Sequence, residues 1–331
     1  MRIGVDVMGG DGGPDVVVSG AVDACQLLEN SDVVVLVGDQ AVIEKSLSNY
    51  GDYPADRIEI VHTDEVIGMA ESPVTALRKK PNSSIAMLAG MHKAGKINAC
   101  ISAGNTGACV AAAQFGLGTL DCVHRPGIAI TSPAFGHPVS VCDVGANINC
   151  RPQNLYQYAV MTSIYFGCAY GVDSPRVGLL SVGEEESKGN ELVKGATDLL
   201  REDDSLNFVG NVESRDLLRG VCDVLICEGF VGNVVLKLIE GLGEDIVKYF
   251  MGQIARTAPD QADMFKGIVM EMKATYDFND YGGAPLLGVD GISIICHGAS
   301  TSRGIMNAVC NARKYSEHQV NEQITQRLGE S

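Results

Sequence analysis

The chain has 331 residues, 46% hydrophobic and 20% charged, with a formal net charge of −16. That much apolar material fills a large core and excludes a disordered chain. The acidic balance excludes a general nucleic-acid binder, because neutralising phosphates needs a basic face and no basic run is longer than Arg78, Lys79 and Lys80.

Taken in order, short apolar runs rich in β-branched residues fall at 2–7, 33–38, 57–62, 97–102, 139–144, 176–182, 206–212, 222–228 and 292–297. Continuous hydrophobicity of this kind predicts strands buried on both faces. Between them the pattern predicts helices at 14–29, 72–80, 83–95, 107–119, 152–169, 189–202, 233–256 and 301–316. Alternation of strand and helix, with 39 glycines and no tryptophan, gives an α/β fold with a mostly parallel sheet wound on both sides. No linker or repeat interrupts it, so a single domain over 1–331 is expected, with an elaboration at 234–280. Within that elaboration, apolar residues at 235, 238, 239, 242, 246, 250 and 254 form a helical stripe. A core-facing helix is the ordinary reading; the alternative is a projecting hairpin, with Phe250 and Met251 at its far end, that packs on a second subunit or touches lipid.

The N-terminus opens at once on a strand, without a signal-peptide pattern, and no window approaches ~18 uninterrupted apolar residues. Eleven cysteines, an odd number, sit mostly in apolar runs without CxxC, as expected of reduced thiols in a cytoplasmic protein. The six histidines lack HxxxH or HExxH spacing, so no metal site is expected.

In open parallel sheets, ligands bind beyond the carboxyl ends of the strands. The first such loop, DVMGGDGGPD, offers Asp6 and Asp11 for a ligand hydroxyl or for organising the loop itself. The second, SAGNTGA, leaves room at Ser102 and Gly104, provides Asn105 or Thr106 as a helix cap, and predicts that backbone amides from Gly104 to Gly107 bind an oxyanion. A helix dipole contributes only ~0.3–1 kcal/mol, so side chains must supplement it. DVGAN carries Asp143 and Asn147; GFVGN carries Asn233, whose plain reading is an N-cap; HGAS carries His297, a strand-end histidine. SVGEEESKGNE sets Lys188 behind three glutamates, which are expected to favour the next helix start and keep the lysine charged and oriented. The dinucleotide fingerprint fails at Asp15 and Asp121, a near-miss phosphate loop has Ile97 in place of Ser or Thr, and GxSxG is absent.

Together with ALRKKPNSS, NFVGNVE and YGGAPLLGV, these blocks resemble, in order along nearly the whole chain, the bacterial acyl-[acyl carrier protein]:phosphate acyltransferases of phospholipid synthesis. The resemblance implies a Rossmann-like α/β/α sandwich akin to phosphotransacetylases and isopropylmalate dehydrogenases. It also implies transfer of a long-chain acyl group from acyl carrier protein to inorganic phosphate, a homodimer, peripheral membrane contact and no cofactor. Carried over by position, Lys188 and Asn233 are the expected catalytic residues. Ser102, Gly104, Asn105, Thr106 and Gly107, with Asp6, Asp143, Asn147 and His297, are expected to bind phosphate or the acyl group. The acyl tail is expected against Ala108 to Ala113 and the 234–256 helix, and the acidic carrier protein against Arg78, Lys79 and Lys80. Two positions depart from the family pattern: Glu228 replaces the usual Asp before GFVGN, and Ser72 replaces the usual acidic residue before Pro73. The rival readings are a coenzyme A-dependent phosphotransacetylase-like enzyme and a non-catalytic scaffold at the membrane surface.

Overall fold

In a computed structural model that describes residues 1–275 and 277–329, the chain runs β1 (Arg2–Asp6), α1 (Gly13–Cys25), β2 (Val33–Gly38), α2 (Gln40–Tyr50), β3 (Ile58–His62), α3 (Pro73–Lys79) and α4 (Ser84–Lys93). It continues through β4 (Ala99–Ser102), α5 (Thr106–Gly116), β5 (Gly127–Pro133), β6 (Pro138–Cys142), α6 (Pro152–Tyr170), β7 (Arg176–Ser181), α7 (Glu191–Glu202), β8 (Asn207–Glu213) and β9 (Val224–Ile226). The last elements are α8 (Gly229–Thr257), α9 (Ala262–Thr275), β10 (Ala284–Leu287), β11 (Ser293–Ile295), α10 (Ser302–Glu317) and α11 (Val320–Gly329). Every predicted strand and helix forms, with ends moved by no more than four residues. The pattern missed β5 and β10. β10 is only four residues long, both are bounded by proline or glycine, and both run antiparallel to their neighbours. It also missed α2 and α11, whose sequences QAVIEKSLSNY and VNEQITQRLG carry few apolar residues.

Eleven strands form one sheet in the order β3-β2-β1-β4-β11-β10-β5-β6-β9-β7-β8. The strands β3, β2, β1, β4 and β11 are mutually parallel, and so are β6, β9, β7 and β8. Through β10 and β5 the direction reverses three times, so the two parallel blocks point opposite ways. Sheet twist of about 20–25° per strand, accumulated over the six steps from β1 to β9, exceeds a right angle and turns their carboxyl ends back toward one another. A cleft between the blocks follows from that geometry.

Helices cover both faces. On one, Val18 and Val22 of α1 and Ile305 and Val309 of α10 pack on Ile3, Val5 and Leu36, and farther along Leu155 and Tyr158 of α6 pack on Leu179 and Ile226. The opposite face buries Ile85 of α4 and Ala108 and Ala112 of α5, with Val141 and Leu225 of the strands. Burying each of the valine, leucine and isoleucine side chains contributes ~1.5–3 kcal/mol, and these layers hold the strand ends in place.

Helix α8 leaves this core. Val235, Leu236 and Ile239 pack against it, but Leu238, Leu242, Ile246 and Tyr249 are exposed, Tyr249 by 68%. The core-facing reading of this stripe therefore fails beyond its first turns, and α8 and α9 form a projecting helical hairpin. Phe250 meets Phe265 edge-on at 6.0 Å across it, and the buried Ile254 and Val269 close it. Of the predicted elaboration at 234–280, residue 276 lies outside the described residues, as do 330 and 331 of the predicted single domain. No described helix is long and apolar enough to cross a membrane.

The base of α8 sits directly on the loop after β6. A Cβ at Gly232 would lie 2.0 Å from the Asp143 carbonyl oxygen, and one at Gly229 would lie 2.6 Å from the Asn147 carbonyl. Alanine in an exposed helix normally gains ~1 kcal/mol over glycine. At Gly232 the overlap with backbone outweighs that gain, and Gly232→Ala is expected to lose ~1–3 kcal/mol net in urea denaturation. An unchanged or raised denaturation midpoint would show that α8 is not seated this closely.

Candidate active site

Asp6 and Ser102 end adjacent parallel strands and meet in the buried floor of the first block. Ser102 Oγ donates to Asp6 Oδ2 at 2.7 Å and accepts from the Gly104 amide at 3.0 Å, while the Met8 amide donates to Asp6 Oδ1. The glycine at position 9 permits this crowding, since a Cβ there would lie 2.6 Å from the Gly104 nitrogen. Burial pushes the Asp6 carboxyl above its ordinary range, with hydrogen bonds from Ser84, Ser102 and the Met8 and Gly9 amides opposing the shift.

Asn105 caps α5 as expected, accepting from the Ala108 amide at 3.0 Å. Its Nδ2 donates to the carbonyls of Gly68, Met69 and Glu71, which fastens the 68–71 loop over the helix start. The expected cradle is therefore corrected. Gly104 donates inward and Ala108 is capped, which leaves the amides of Asn105, Thr106 and Gly107 without a partner among the described residues, together with the exposed Thr106 hydroxyl. Glu71 also accepts from Gly68 and pairs with Lys80 at 2.6 Å, so Lys80 is spent on this loop while Arg78 and Lys79 stay exposed at the end of α3. Lys80 and the Gly68 amide hold the Glu71 carboxyl below the usual range.

Across the cleft, Asp143 is fully buried and accepts from the amides of Ile128, Gly145, Ala146 and Asn147. Burial raises its carboxyl above the ordinary value against the pull of those four bonds. Asn147 donates to the Pro126 carbonyl and to the Tyr158 hydroxyl. Both residues, expected to bind substrate, here have side chains committed to the loop that seats α8.

Asn233 is not a helix cap. Glu228 holds that place, accepting from the Phe230 and Val231 amides at 2.8 and 2.9 Å. Asn233 lies a turn farther in, exposed, 4.0 Å from where a Cβ on Gly145 would be. Its side chain has no partner among the described residues.

Lys188 is exposed in the loop between β7 and α7. Its backbone donates to Glu185, and its stem lies over Gly183, where a Cβ would come within 3.0 Å of Lys188 Cγ. The three glutamates do not hold it. Glu186 pairs with Arg201, which keeps its carboxyl below the usual range, and the Lys188 ammonium has no partner among the described residues. Gly189 turns the chain at φ +96 into Asn190, which caps α7 through the Val193 amide.

His297, after β11, joins the blocks. Its Nε2 lies 3.1 Å from Lys237 Nζ on α8, and Phe278 packs edge-on to the ring. Lys237 went unremarked in the sequence beyond its place in GFVGNVVLK; its signal was the four-residue spacing from Asn233 on one helix face. A cavity of about 570 Å³ elsewhere, lined by Ser174, Pro175 and Ser205, lies at the amino ends of β7 and β8, whereas ligands of open parallel sheets bind at the carboxyl ends.

Residues 1–323 match a sequence family described as fatty acid synthesis protein. The phosphate acyltransferase of Moorella thermoacetica is 44% identical over all of this chain and 95% of its own length. That of Desulforamulus reducens is 45% identical over 96% of this chain and 94% of its own.

The chain belongs to the phosphate acyltransferase family.

It is thus a transferase, and more narrowly an acyltransferase. Among solved structures, this family member resembles a phosphotransacetylase from Streptococcus pyogenes at TM-score 0.65 and 16% identity, over 97% of this chain and 94% of that one. The EutD phosphotransacetylase of Staphylococcus aureus gives TM-score 0.61 at 17% identity, over 95% and 94%. At those identities the likeness fixes the fold, in agreement with the α/β/α expectation.

Asp6 offers a titration of the floor. Its raised carboxyl contributes stability fully below the unfolded value near ~4 and loses it as pH rises through the folded value. The stability of the wild type relative to Asp6→Asn is expected to fall as pH rises above ~4 in denaturant titrations. A difference that grows with pH would reverse the sign and show that the ionised form is favoured.

Proposed function

We propose that this acyltransferase moves a long-chain fatty acyl group from the thioester of acyl carrier protein to inorganic phosphate, forming acyl phosphate for glycerophospholipid synthesis. The observation that carries the reading is a division among polar side chains at the strand ends. Asp6, Ser102, Asn105, Asp143 and Asn147 are consumed in holding loops, whereas Lys188, Asn233 and Thr106 keep their hydrogen-bonding capacity. Unspent donors around a rigid frame suit a reaction that needs placement and charge stabilisation.

Hydrogen phosphate is itself the nucleophile. One of its oxygens attacks the thioester carbonyl, the carbon–oxygen bond forms, the tetrahedral oxyanion collapses, and the carbon–sulfur bond breaks to release the carrier thiolate, which takes a proton from water. Lys188 and Asn233 donate to phosphate or to the developing oxyanion, and the amides of Asn105 to Gly107 take remaining phosphate oxygens. No covalent enzyme intermediate is required.

The acyl tail does not enter beside α5. Ala108 to Ala113 are buried, and the gap of about 20 Å³ between Cys109, Ala112, Ile85 and Leu117 holds no more than a water-sized probe. The exposed stripe of Val234, Leu238 and Leu242 begins beside Asn233, and we place the tail there at ~0.8 kcal/mol per methylene covered. The same hairpin accounts for a homodimer and for peripheral attachment of a cytoplasmic enzyme to the membrane. Arg78 and Lys79 remain as a patch for the acidic carrier protein.

Purified protein given long-chain acyl carrier protein and labelled phosphate is expected to yield labelled acyl phosphate, and acyl coenzyme A is expected to compete poorly. Label that stays inorganic, or a preference for acyl coenzyme A, would overturn the reading. Lys188→Ala and Asn233→Ala should each lower kcat by ~10²–10³ with the fold intact by circular dichroism. Near-normal turnover at saturating phosphate would remove the residue from the mechanism.

A further inference from the structure

We propose that Lys237 and His297 form a second pair of phosphate-binding donors at the mouth of the cleft, and that the Glu240 carboxylate competes with phosphate for them. This rests on the acyl-transfer reading and adds to the site a control on phosphate affinity.

Lys237 lies four residues beyond Asn233 on α8, about 6 Å along the same helix face, a separation that one phosphate ion and its hydrogen bonds bridge. His297 arrives from the opposite block of the sheet. Its Nδ1 accepts from the Ala299 amide at 3.2 Å, so the proton of the neutral ring resides on Nε2. That Nε2 faces Lys237 Nζ at 3.1 Å. An ammonium and an imidazole N–H are both donors and cannot satisfy one another. An oxygen shared between them satisfies both.

Glu240 supplies such an oxygen. Its Oε2 lies 2.6 Å from Lys237 Nζ and 4.0 Å from His297 Nε2, within reach of the lysine but too far for a good bond to the ring. The three side chains are 53%, 42% and 32% exposed, so a small anion reaches them without moving the core. Phe278 steadies the imidazole by an edge-on ring contact at 5.5 Å. Phosphate brings several oxygens and a larger charge, and the single carboxylate oxygen of Glu240 is the group it must displace. An acidic protein of net charge −16 thereby gains a cation that is held ready but partly masked.

The test is steady-state kinetics with phosphate and acyl carrier substrate varied separately. Lys237→Met and His297→Gln are expected to raise KM for phosphate about tenfold each, with KM for the acyl donor unchanged. Glu240→Gln should lower KM for phosphate several-fold, and Lys237→Arg, which keeps the charge, should raise it less than Lys237→Met does. Opposite signs at 237 and 240 are the signature, because damage to local structure would move both the same way. A phosphate KM unaltered in Lys237→Met, or raised in Glu240→Gln, overturns the proposal. Should the wild type make no acyl phosphate, the acyl-transfer reading fails on its own. The increase in thermal midpoint produced by phosphate still tests the pair: smaller in Lys237→Met and larger in Glu240→Gln if the proposal holds, equal in all if it does not.

Discussion

Asp143 sits wholly buried at the end of β6 and accepts four backbone N–H groups, three from its own loop and one from Ile128 on β5. An ion taken out of water loses several kcal/mol, and charge-assisted hydrogen bonds return ~1.5–3 kcal/mol each, so the loop cannot loosen without stranding the charge. That rigidity passes on. The loop's carbonyls lie against Gly229 and Gly232, which sets the position of α8, and α8 carries Asn233 and Lys237. On the far side of the cleft Asp6 and Asn105 do the same for the glycine loop and the 68–71 segment. Two rigid walls result, and the groups left free on them are those suited to an anion.

The sheet explains why two walls face each other at all. Parallel blocks of opposite direction place their strand ends on opposite edges of a flat sheet; the twist through β10, β5 and β6 brings them together. None of this was legible in the sequence. Buried parallel strands such as VVVLVG announce themselves by unbroken hydrophobicity, whereas APLL is short with a proline inside it and GIAITSP turns polar at Thr131 and Ser132, and they are the strands that reverse the direction.

The site was legible as a set of loops but not as a division of labour. SAGNTGA, DVGAN and GFVGN stood out by composition, yet composition does not tell an asparagine that binds substrate from one that ties down a loop. Asn105 and Asn147 make contacts with residues 36 and 21 positions away, which only the folded chain reveals. The alternative reading of Asn233 as a cap falls because Glu228 performs that role from five residues earlier. The α8 stripe was read by its period, which cannot distinguish a face toward the core from one toward solvent. The free Lys188 among glutamates is the converse case: charge pairing predicted from proximity in sequence is taken up by Arg201 instead.

The account stands on one claim, that phosphate binds between the two walls at the unspent donors. The direct measurement is a crystal structure of the protein soaked in phosphate, at a concentration that saturates turnover. Phosphate oxygens within hydrogen-bonding distance of Asn233 Nδ2 and Lys188 Nζ, with the Asp143 and Asn105 contacts unchanged, is the predicted result. Phosphate bound away from both residues, for example against Arg201 in the cavity lined by Glu184 and Glu213, would contradict it.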